Sequence, residues 1–210
     1  YLASGRNNLP WREKISPYRV WISEIMLQQT QVKTVIPFFK KFIRKYPNLK
    51  SICDATEDDI LALWSGLGFY RRAKNIFKAK EIIKNKYNNC FPKKFDELLL
   101  LPGIGRSTAG AIMSIAYGES YPILDANVKR VISRFNDIDV KDKGAIKSLW
   151  LLSKTYTPSK NIFEYTQGLM DLGATICHLR VPSCSNCPLN TSCKSSFKEF
   201  EVIKNDKKQK

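Results

Sequence analysis

Four of the six cysteines of the chain are concentrated in one segment, with the spacing Cys177-x6-Cys184-x2-Cys187-x5-Cys193. A segment tied to one metal centre at four points must fold compactly around that centre, so this pattern restricts the structure strongly. Four thiolates suit either tetrahedral zinc or a 4Fe–4S cluster, and the spacing alone does not choose between them. Unligated cysteines are the remaining alternative.

The metal interpretation depends on a reducing compartment, because disulfides persist in an oxidising one. The sequence has no run of about 18 apolar residues, and no basic segment followed by an apolar stretch stands at its start. We therefore expect a soluble, cytoplasmic protein that does not bind membranes. The chain begins at Tyr1 instead of Met, so we expect a fragment or a processed form.

The chain is strongly basic, with 35 Lys and Arg against 19 Asp and Glu and a formal net charge of +16. Such an excess favours a polyanionic partner, either nucleic acid or an acidic membrane, and charge alone does not decide between them. Hydrophobic residues make up 43% of the 210 residues, which is enough to build one or two globular domains around a core.

Apolar residues recur at three- and four-residue steps along most of the chain, which predicts an all-α fold. Ser16 followed by Pro17 predicts a helix start, and so does Thr56 followed by three acidic residues. Pro37 predicts a kink or a helix start nearby. The predicted helices are 17–27, 31–46, 56–64, 73–87, 95–101, 106–117, 127–135, 143–154 and 162–176, and residues 200–210 are predicted to be a polar tail.

A second motif is the run from Leu101 to Gly110, LPGIGRSTAG. Gly103 and Gly105 permit a tight backbone turn, and the amides at the start of the following helix can donate to a phosphate. Taken alone, the run is also compatible with any turn between two helices. The residues by themselves leave both interpretations open.

The cysteine spacing, the LPGIG turn and Asp125 together resemble the endonuclease III and MutY superfamily of DNA glycosylases. Longer segments resemble its MutY-type adenine glycosylase branch in particular, and the resemblance covers about residues 1–195. The segments that carry it are Leu9–Arg12, Pro17–Val32, Trp64–Tyr70, Pro122–Val128 and Met170–Ala174. Several long motifs in the same order make a chance match implausible.

The resemblance implies a fold of two helical lobes that flank a DNA cleft. A six-helix barrel with a helix-hairpin-helix would span residues 15–120, and an iron–sulfur cluster domain would combine residues 1–14 and 121–199. It also implies one 4Fe–4S cluster on Cys177, Cys184, Cys187 and Cys193. We expect a nucleoid-associated monomer that binds double-stranded DNA.

The resemblance also implies catalytic residues. Glu24 would protonate the adenine, Asp125 would stay ionised and stabilise the cationic sugar, and Asn127 would position Asp125 or the attacking water. From the residues alone, Glu24 is either a partly exposed helix side chain or a desolvated carboxyl with a raised pKa. Lyases of the superfamily carry Lys where this chain has Ser107, so we expect little or no lyase activity.

The remaining implied residues would contact DNA. Gln29 is expected to be the wedge that fills the gap left by a flipped base, and Phe69 stands where relatives usually have Tyr. Trp11 and Leu27 are alternatively core residues, and His178 is expected to be an ordinary side chain beside the cluster. The full expected DNA-binding set is Trp11, Arg12, Leu27, Gln28, Gln29, Phe69, Gly103, Gly105, Ser107, Lys129 and Gln167.

The expected function is removal of adenine mispaired with 8-oxoguanine or guanine in base excision repair. Two alternatives remain, an endonuclease III-like pyrimidine glycosylase with lyase activity and a non-catalytic DNA-binding module. Ala126 replaces a Gly that is usual in relatives, which places a Cβ where the backbone comes close to DNA. We expect this change to have a small effect on activity, not a disabling one. Full-length relatives carry a further C-terminal domain that recognises 8-oxoguanine, so we expect weaker discrimination of 8-oxoguanine from guanine in its absence.

Overall fold

The computed structural model describes residues 1–199, and within them it contains ten α-helices, one short 3-10 helix and no β-strand. The all-α prediction is confirmed. The α-helices are α1 (Pro17–Leu27), α2 (Val32–Lys45), α3 (Leu49–Cys53), α4 (Glu57–Trp64), α5 (Arg71–Tyr87), α6 (Phe95–Leu99), α7 (Arg106–Ala116), α8 (Ala126–Asn136), α9 (Ala145–Tyr156) and α10 (Ile162–Thr175). None of the helices in this part of the chain is both long and apolar enough to span a bilayer. The tail predicted at 200–210 lies outside the described residues.

The chain divides into two compact units. The larger unit consists of Arg6–Ile123 and Thr157–Thr166, and the smaller consists of Tyr1–Gly5, Leu124–Tyr156 and the described residues 167–199. The domain boundaries expected from the sequence stay a prediction.

Helix α1 forms the centre of the larger unit and begins where the sequence predicts. The Ser16 hydroxyl accepts a hydrogen bond from the Arg19 amide at 3.2 Å, and Pro17 occupies the first turn, where its missing N–H costs nothing. Helix α1 packs on α2, α5 and α7. Its fully buried side chains include Trp21, Ile22, Ile25 and Met26.

Two further helix starts in the larger unit are set by reciprocal capping. At α4 the Thr56 hydroxyl accepts from the Asp59 amide while the Asp59 carboxylate accepts from the Thr56 amide, as the sequence predicts. At α3 Asn48 and Ser51 form an equivalent pair, and this helix is absent from the predicted set. Pro37 lies inside α2 and does not start a helix.

The smaller unit is organised around α8, which begins at the Asp125 cap and ends at Asp137 in a left-handed conformation. Helix α8 packs against α9 and also closely approaches the segment around Gly173. A Cβ at Gly173 would lie 2.6 Å from the Asn127 Cβ, so only glycine allows the two backbones this distance. The start of α8 is therefore fixed by packing as well as by its cap.

Candidate active site

Glu24 lies in the middle of α1 in the larger unit. Its side chain is half-buried, and the residues on either side of it, Ser23 and Ile25, are buried. A rigid, buried helix therefore fixes the direction in which this carboxyl projects. Its role as the acid that protonates adenine stays a prediction.

Asp125 caps α8 in the smaller unit. Its carboxylate accepts a hydrogen bond from the Val128 amide at 2.8 Å and further hydrogen bonds from the amide and the side chain of Asn127. Burial raises the pKa of Asp125, while these hydrogen bonds and the nearby Arg130 charge act in the opposite direction. The carboxylate is thus held in place by donors that favour its ionised form, although its surroundings disfavour charge.

Asn127, the third predicted catalytic residue, is held from two sides. Its amide oxygen accepts a hydrogen bond from Arg130 at 2.9 Å, and its Cβ faces Gly173. Arg130 also donates to the carbonyl of Gly173 and, at 2.7 Å, to the carbonyl of Cys177. Because the amide and the side chain of Asn127 also hydrogen-bond to Asp125, these two residues are in contact, as a positioning role requires.

The LPGIG turn connects α6 and α7 in the larger unit. Gly103 has φ of +85° and lies against Asn75, where a Cβ would be 3.0 Å from the nearest carbon, so this position requires glycine. Gly105 has φ of −91° and open space around its Cβ position, so conformation does not require glycine there. It is the N-cap of α7, whose first turn includes Ser107. The positive end of the α7 dipole therefore lies at this turn.

Gln29 and Phe69 are the tips of two exposed loops in the larger unit. Gln29 has φ of +58° and Phe69 has φ of +50°, a conformation that non-glycine residues seldom adopt and that costs about 1–3 kcal/mol each. Phe69 is 54% exposed. An exposed aromatic side chain and an exposed amide on strained loops are accessible to an outside partner.

The other predicted DNA-binding residues are more shielded. Trp11 is buried with its ring edge against Phe39, at 5.4 Å between centroids, so it belongs to the core of the larger unit. Gln167 is also buried. Arg12, Leu27, Gln28 and Lys129 are half-buried, and Gln28 donates to the Gly103 carbonyl at 3.3 Å.

The four clustered cysteines line a single cavity of about 30 Å³ in the smaller unit. Within residues 1–199 no three His, Cys, Asp or Glu side chains converge closely enough to hold a single metal ion. The four thiols therefore border one common space. His178, beside the first of these cysteines, is exposed.

The surroundings of the four thiols also fit a cationic metal centre. Burial and the charges of the other three cysteines raise the pKa of Cys187, so four thiolates would repel one another without a cation. The Cys184 sulfur accepts from the Phe197 amide at 3.4 Å, and Arg134 lies 3.5 Å from the Cys177 sulfur. Such donors are the usual outer partners of sulfur ligands.

Three arginines important to these sites were not predicted from the sequence. Arg130 and Arg134 are one helical turn apart on α8 and bind carbonyls of the segment 173–179. Arg72 binds carbonyls near Gln29 and Phe69. The i, i+4 spacing of the first two is visible in the sequence, but carbonyl acceptors leave no residue-type signature.

More than half of the chain matches a known protein family. Residues 22–154 match the HhH-GPD superfamily of base excision DNA repair proteins, and the chain belongs to this family. The resemblance inferred from the motifs is thereby confirmed.

Individual relatives have more specific names. The chain is 51% identical over 213 residues to an adenine DNA glycosylase of Buchnera aphidicola from Acyrthosiphon pisum, a match that covers 99% of this chain and 61% of the relative. It is 35% identical over 201 residues to a human adenine DNA glycosylase, covering 90% of this chain and 37% of the relative. The chain therefore spans less than two thirds of these relatives.

Solved structures give the same fold. A thermostable thymine-DNA glycosylase matches with a TM-score of 0.81 and 30% identity, covering 92% of this chain and 90% of that one. A non-covalent endonuclease III–DNA complex matches with a TM-score of 0.77 and 23% identity, covering 93% and 89%. The second likeness concerns the fold alone.

Proposed function

We propose that the chain is an adenine-specific DNA glycosylase that removes adenine opposite 8-oxoguanine or guanine from double-stranded DNA. The observation that carries this proposal is the 51% identity, over 99% of the chain, to a protein named adenine DNA glycosylase. The net charge of +16 supports a polyanionic substrate. We also expect the protein to act as a monomer inside the cell.

The chemistry that we propose uses the two carboxyl groups in different protonation states. Glu24 donates a proton to N7 of adenine, so that the base leaves as neutral adenine when the bond between C1′ and N9 breaks. The ionised Asp125 stabilises the resulting oxocarbenium-like sugar. Water then adds to C1′ while its proton returns to the Glu24 carboxylate, and an abasic site remains.

The contacts of Asp125 support this assignment. The Val128 amide at 2.8 Å and the Asn127 hydrogen bonds hold the carboxylate in one orientation before substrate binds. A charge that is already oriented stabilises a developing positive charge without reorganisation during the reaction. Asn127 is thus proposed as the positioning residue for Asp125.

DNA binding is proposed to use the LPGIG turn and the two strained loops. The start of α7 offers its dipole to a backbone phosphate, which fixes the position of the duplex without reading its sequence. Gln29 and Phe69 then enter the duplex, where Gln29 replaces the flipped adenine and Phe69 stacks beside the opposite base. Their exposure and their location at loop tips support these roles.

We propose further that Cys177, Cys184, Cys187 and Cys193 hold one 4Fe–4S cluster. When bound, the cluster would offset part of the thiolate charge and order the segment 177–193. The common cavity and the donors around Cys177 and Cys184 support the proposal. Zinc is the alternative, and iron analysis of the purified protein distinguishes the two.

Ser107 supports a reaction without strand cleavage. It lies in the first turn of α7, where lyases that resemble this family carry a Lys nucleophile. A hydroxyl cannot form an imine with the abasic sugar, so the strand should remain intact after the base has left. Lys129 is half-buried near Asp125 in the chain and is proposed only as an incidental trap of the product.

The test is a panel of end-labelled duplexes incubated with the protein, each split into samples with and without alkali. The panel contains adenine opposite 8-oxoguanine, adenine opposite guanine, thymine opposite guanine and thymine glycol opposite adenine. The duplex with thymine opposite guanine is included because a thymine-DNA glycosylase is similar to this chain in both sequence and fold. Glu24→Gln serves as the matched control, since glutamine has nearly the same shape and cannot donate the proton.

Breaks that require alkali, appear with the first two duplexes and disappear in Glu24→Gln are the expected result. Alkali-dependent breaks at thymine opposite guanine alone would assign the chain to thymine removal. Cleavage of the thymine glycol duplex without alkali would indicate a lyase, and binding without any break would indicate a non-catalytic module. Each of these three outcomes contradicts the proposal.

A further inference from the structure

Arg72 is a buried charge that the proposed reaction does not use. It lies in the first turn of α5 with 7% exposure, and its hydrogen-bond acceptors within residues 1–199 are backbone carbonyls and one hydroxyl, all of them uncharged. Burial alone lowers the pKa of its guanidinium. A buried cation without an anionic partner is costly, so its neutral partners must be numerous and well placed.

The hydrogen-bond partners of Arg72 belong to two separate loops. On the first loop it donates to the end of α1 and to the turn that follows, and on the second it donates to the residue before Phe69. The acceptors are the carbonyls of Ile25 at 3.2 Å, Met26 at 2.6 Å and Gln28, the hydroxyl of Thr30 at 3.0 Å, and the carbonyl of Gly68 at 3.2 Å.

Both loops carry a strained residue next to an Arg72 acceptor. Gln29 lies between Gln28 and Thr30, and Phe69 directly follows Gly68. Gln29 and Phe69 are also two of the few non-glycine residues with positive φ in residues 1–199. The guanidinium therefore binds the flanks of both strained positions.

Two aromatic rings also lie close to the Arg72 guanidinium. The Arg72 guanidinium carbon lies 5.2 Å from the centre of the Phe69 ring and 5.4 Å from that of the Trp64 ring. Phe69 is thus held both through its neighbouring carbonyl and through its ring, while much of the ring stays exposed. Such a side chain is oriented before any partner arrives.

We infer that Arg72 is a positioning residue that holds the Gln29 and Phe69 loops in the conformation that enters a DNA duplex. The inference rests on the proposed function, because it assigns both loop tips to base flipping. Arg72 itself does not contact the base. The two loops are distant in sequence, and Arg72 holds them in one fixed arrangement. Their tips therefore insert together.

The geometry explains why lysine cannot replace this arginine. A guanidinium presents its donors in a planar fork and stacks on aromatic rings, whereas an ammonium is a compact point charge with fewer donors. Arg72→Lys therefore keeps the charge but cannot reach both loops at once. The adjacent Arg71 is exposed, so Arg71→Lys is a matched control with the same change of chemistry.

The test measures base unstacking and binding separately. A duplex with 2-aminopurine beside an adenine opposite 8-oxoguanine reports unstacking as a rise in fluorescence, and single-turnover cleavage reports the rate. For Arg72→Lys we expect a fluorescence rise about half that of the wild type or less, and a rate about 10- to 100-fold lower. Affinity for an unmodified duplex should stay within about twofold, since that binding depends on phosphate contacts.

Arg71→Lys should match the wild type in all three measurements. The inference is overturned if folded Arg72→Lys also matches the wild type, or if its affinity for the unmodified duplex falls in parallel with unstacking. If Arg72→Lys does not fold, Thr30→Val decides the question, because it removes one Arg72 acceptor with little change of shape. A smaller fluorescence rise then supports the inference, and an unchanged rise overturns it.

These outcomes are separate from failure of the proposed function. A wild-type protein that neither unstacks nor cleaves the adenine duplex contradicts the proposed function itself. A wild-type protein that does both, with Arg72→Lys unchanged, contradicts only the role of Arg72.

Discussion

Replacing Asp125 by Asn should separate the stability of the protein from its activity. Asn caps a helix about as well as Asp, so the hydrogen bond from Val128, 2.8 Å long in the wild type, is retained. The negative charge is lost. Since that charge is proposed to stabilise the cationic sugar, the single-turnover rate on adenine opposite 8-oxoguanine should fall about 100-fold or more.

Asp125→Asn is expected to lower the reaction rate but not the stability of the fold. Because burial raises the pKa of Asp125 in the folded state above its unfolded value, the folded protein binds this proton more readily. The ionised carboxylate therefore destabilises the fold at pH values above the folded pKa, and this penalty disappears as the pH falls through that pKa. At neutral pH Asp125→Asn should melt at the same temperature as the wild type or higher, with the difference shrinking toward about pH 4.

Asp125→Ala is the matched control, since it removes both the charge and the cap. Loss of an N-cap costs about 1 kcal/mol, which lowers Tm by about 2–4 °C for a chain of this size relative to Asp125→Asn. Thermal melts followed by circular dichroism at several pH values give these differences. An Asn variant that melts below the wild type at neutral pH, or that keeps its activity, would contradict these roles of the Asp125 charge.

The other predictions concern the cysteines, Ser107 and the turn glycines. Cys187→Ser should lose the absorbance near about 400 nm expected of a cluster and lower the melting temperature, whereas Cys90→Ser, an exposed cysteine outside the group, should change neither. Ser107→Lys should produce a covalent adduct with DNA that borohydride traps on a denaturing gel, and a wild-type adduct of equal yield would contradict the assignment of Ser107. Gly103→Ala should destabilise the protein by about 1–2 kcal/mol in urea unfolding, because φ is +85° there, and an equal effect of Gly105→Ala would contradict this.

The sequence predicted most helices because their ends have local chemical causes. The residue types of Ser16 and Thr56 predict that they cap helices, and the structure confirms both caps. Helix α3 was missed because its main signal is the cap formed by Asn48 and Ser51 and not an extended apolar repeat. Short helices of this kind depend on capping and packing more than on periodicity.

The site was predictable only in part, for the same physical reason. The four spaced cysteines are visible as residue types at fixed intervals, whereas Asp125 was inferred only through the resemblance to a known family. Arg72 was missed because its acceptors are mainly carbonyls, which every residue carries. Apart from Gly68, these acceptors also lie 42 to 47 residues away in the chain. Gly105 was interpreted as a conformational glycine, but its φ of −91° is open to other residues.

Mass spectrometry of the released base is the sharpest test of whether the protein releases adenine by hydrolysis. Under single-turnover conditions, a duplex with adenine opposite 8-oxoguanine should give about one free adenine per duplex while both strands remain intact until alkali is added. Release of thymine from a thymine–guanine duplex without adenine release, or full-length DNA that still carries its adenine after binding, would contradict the account.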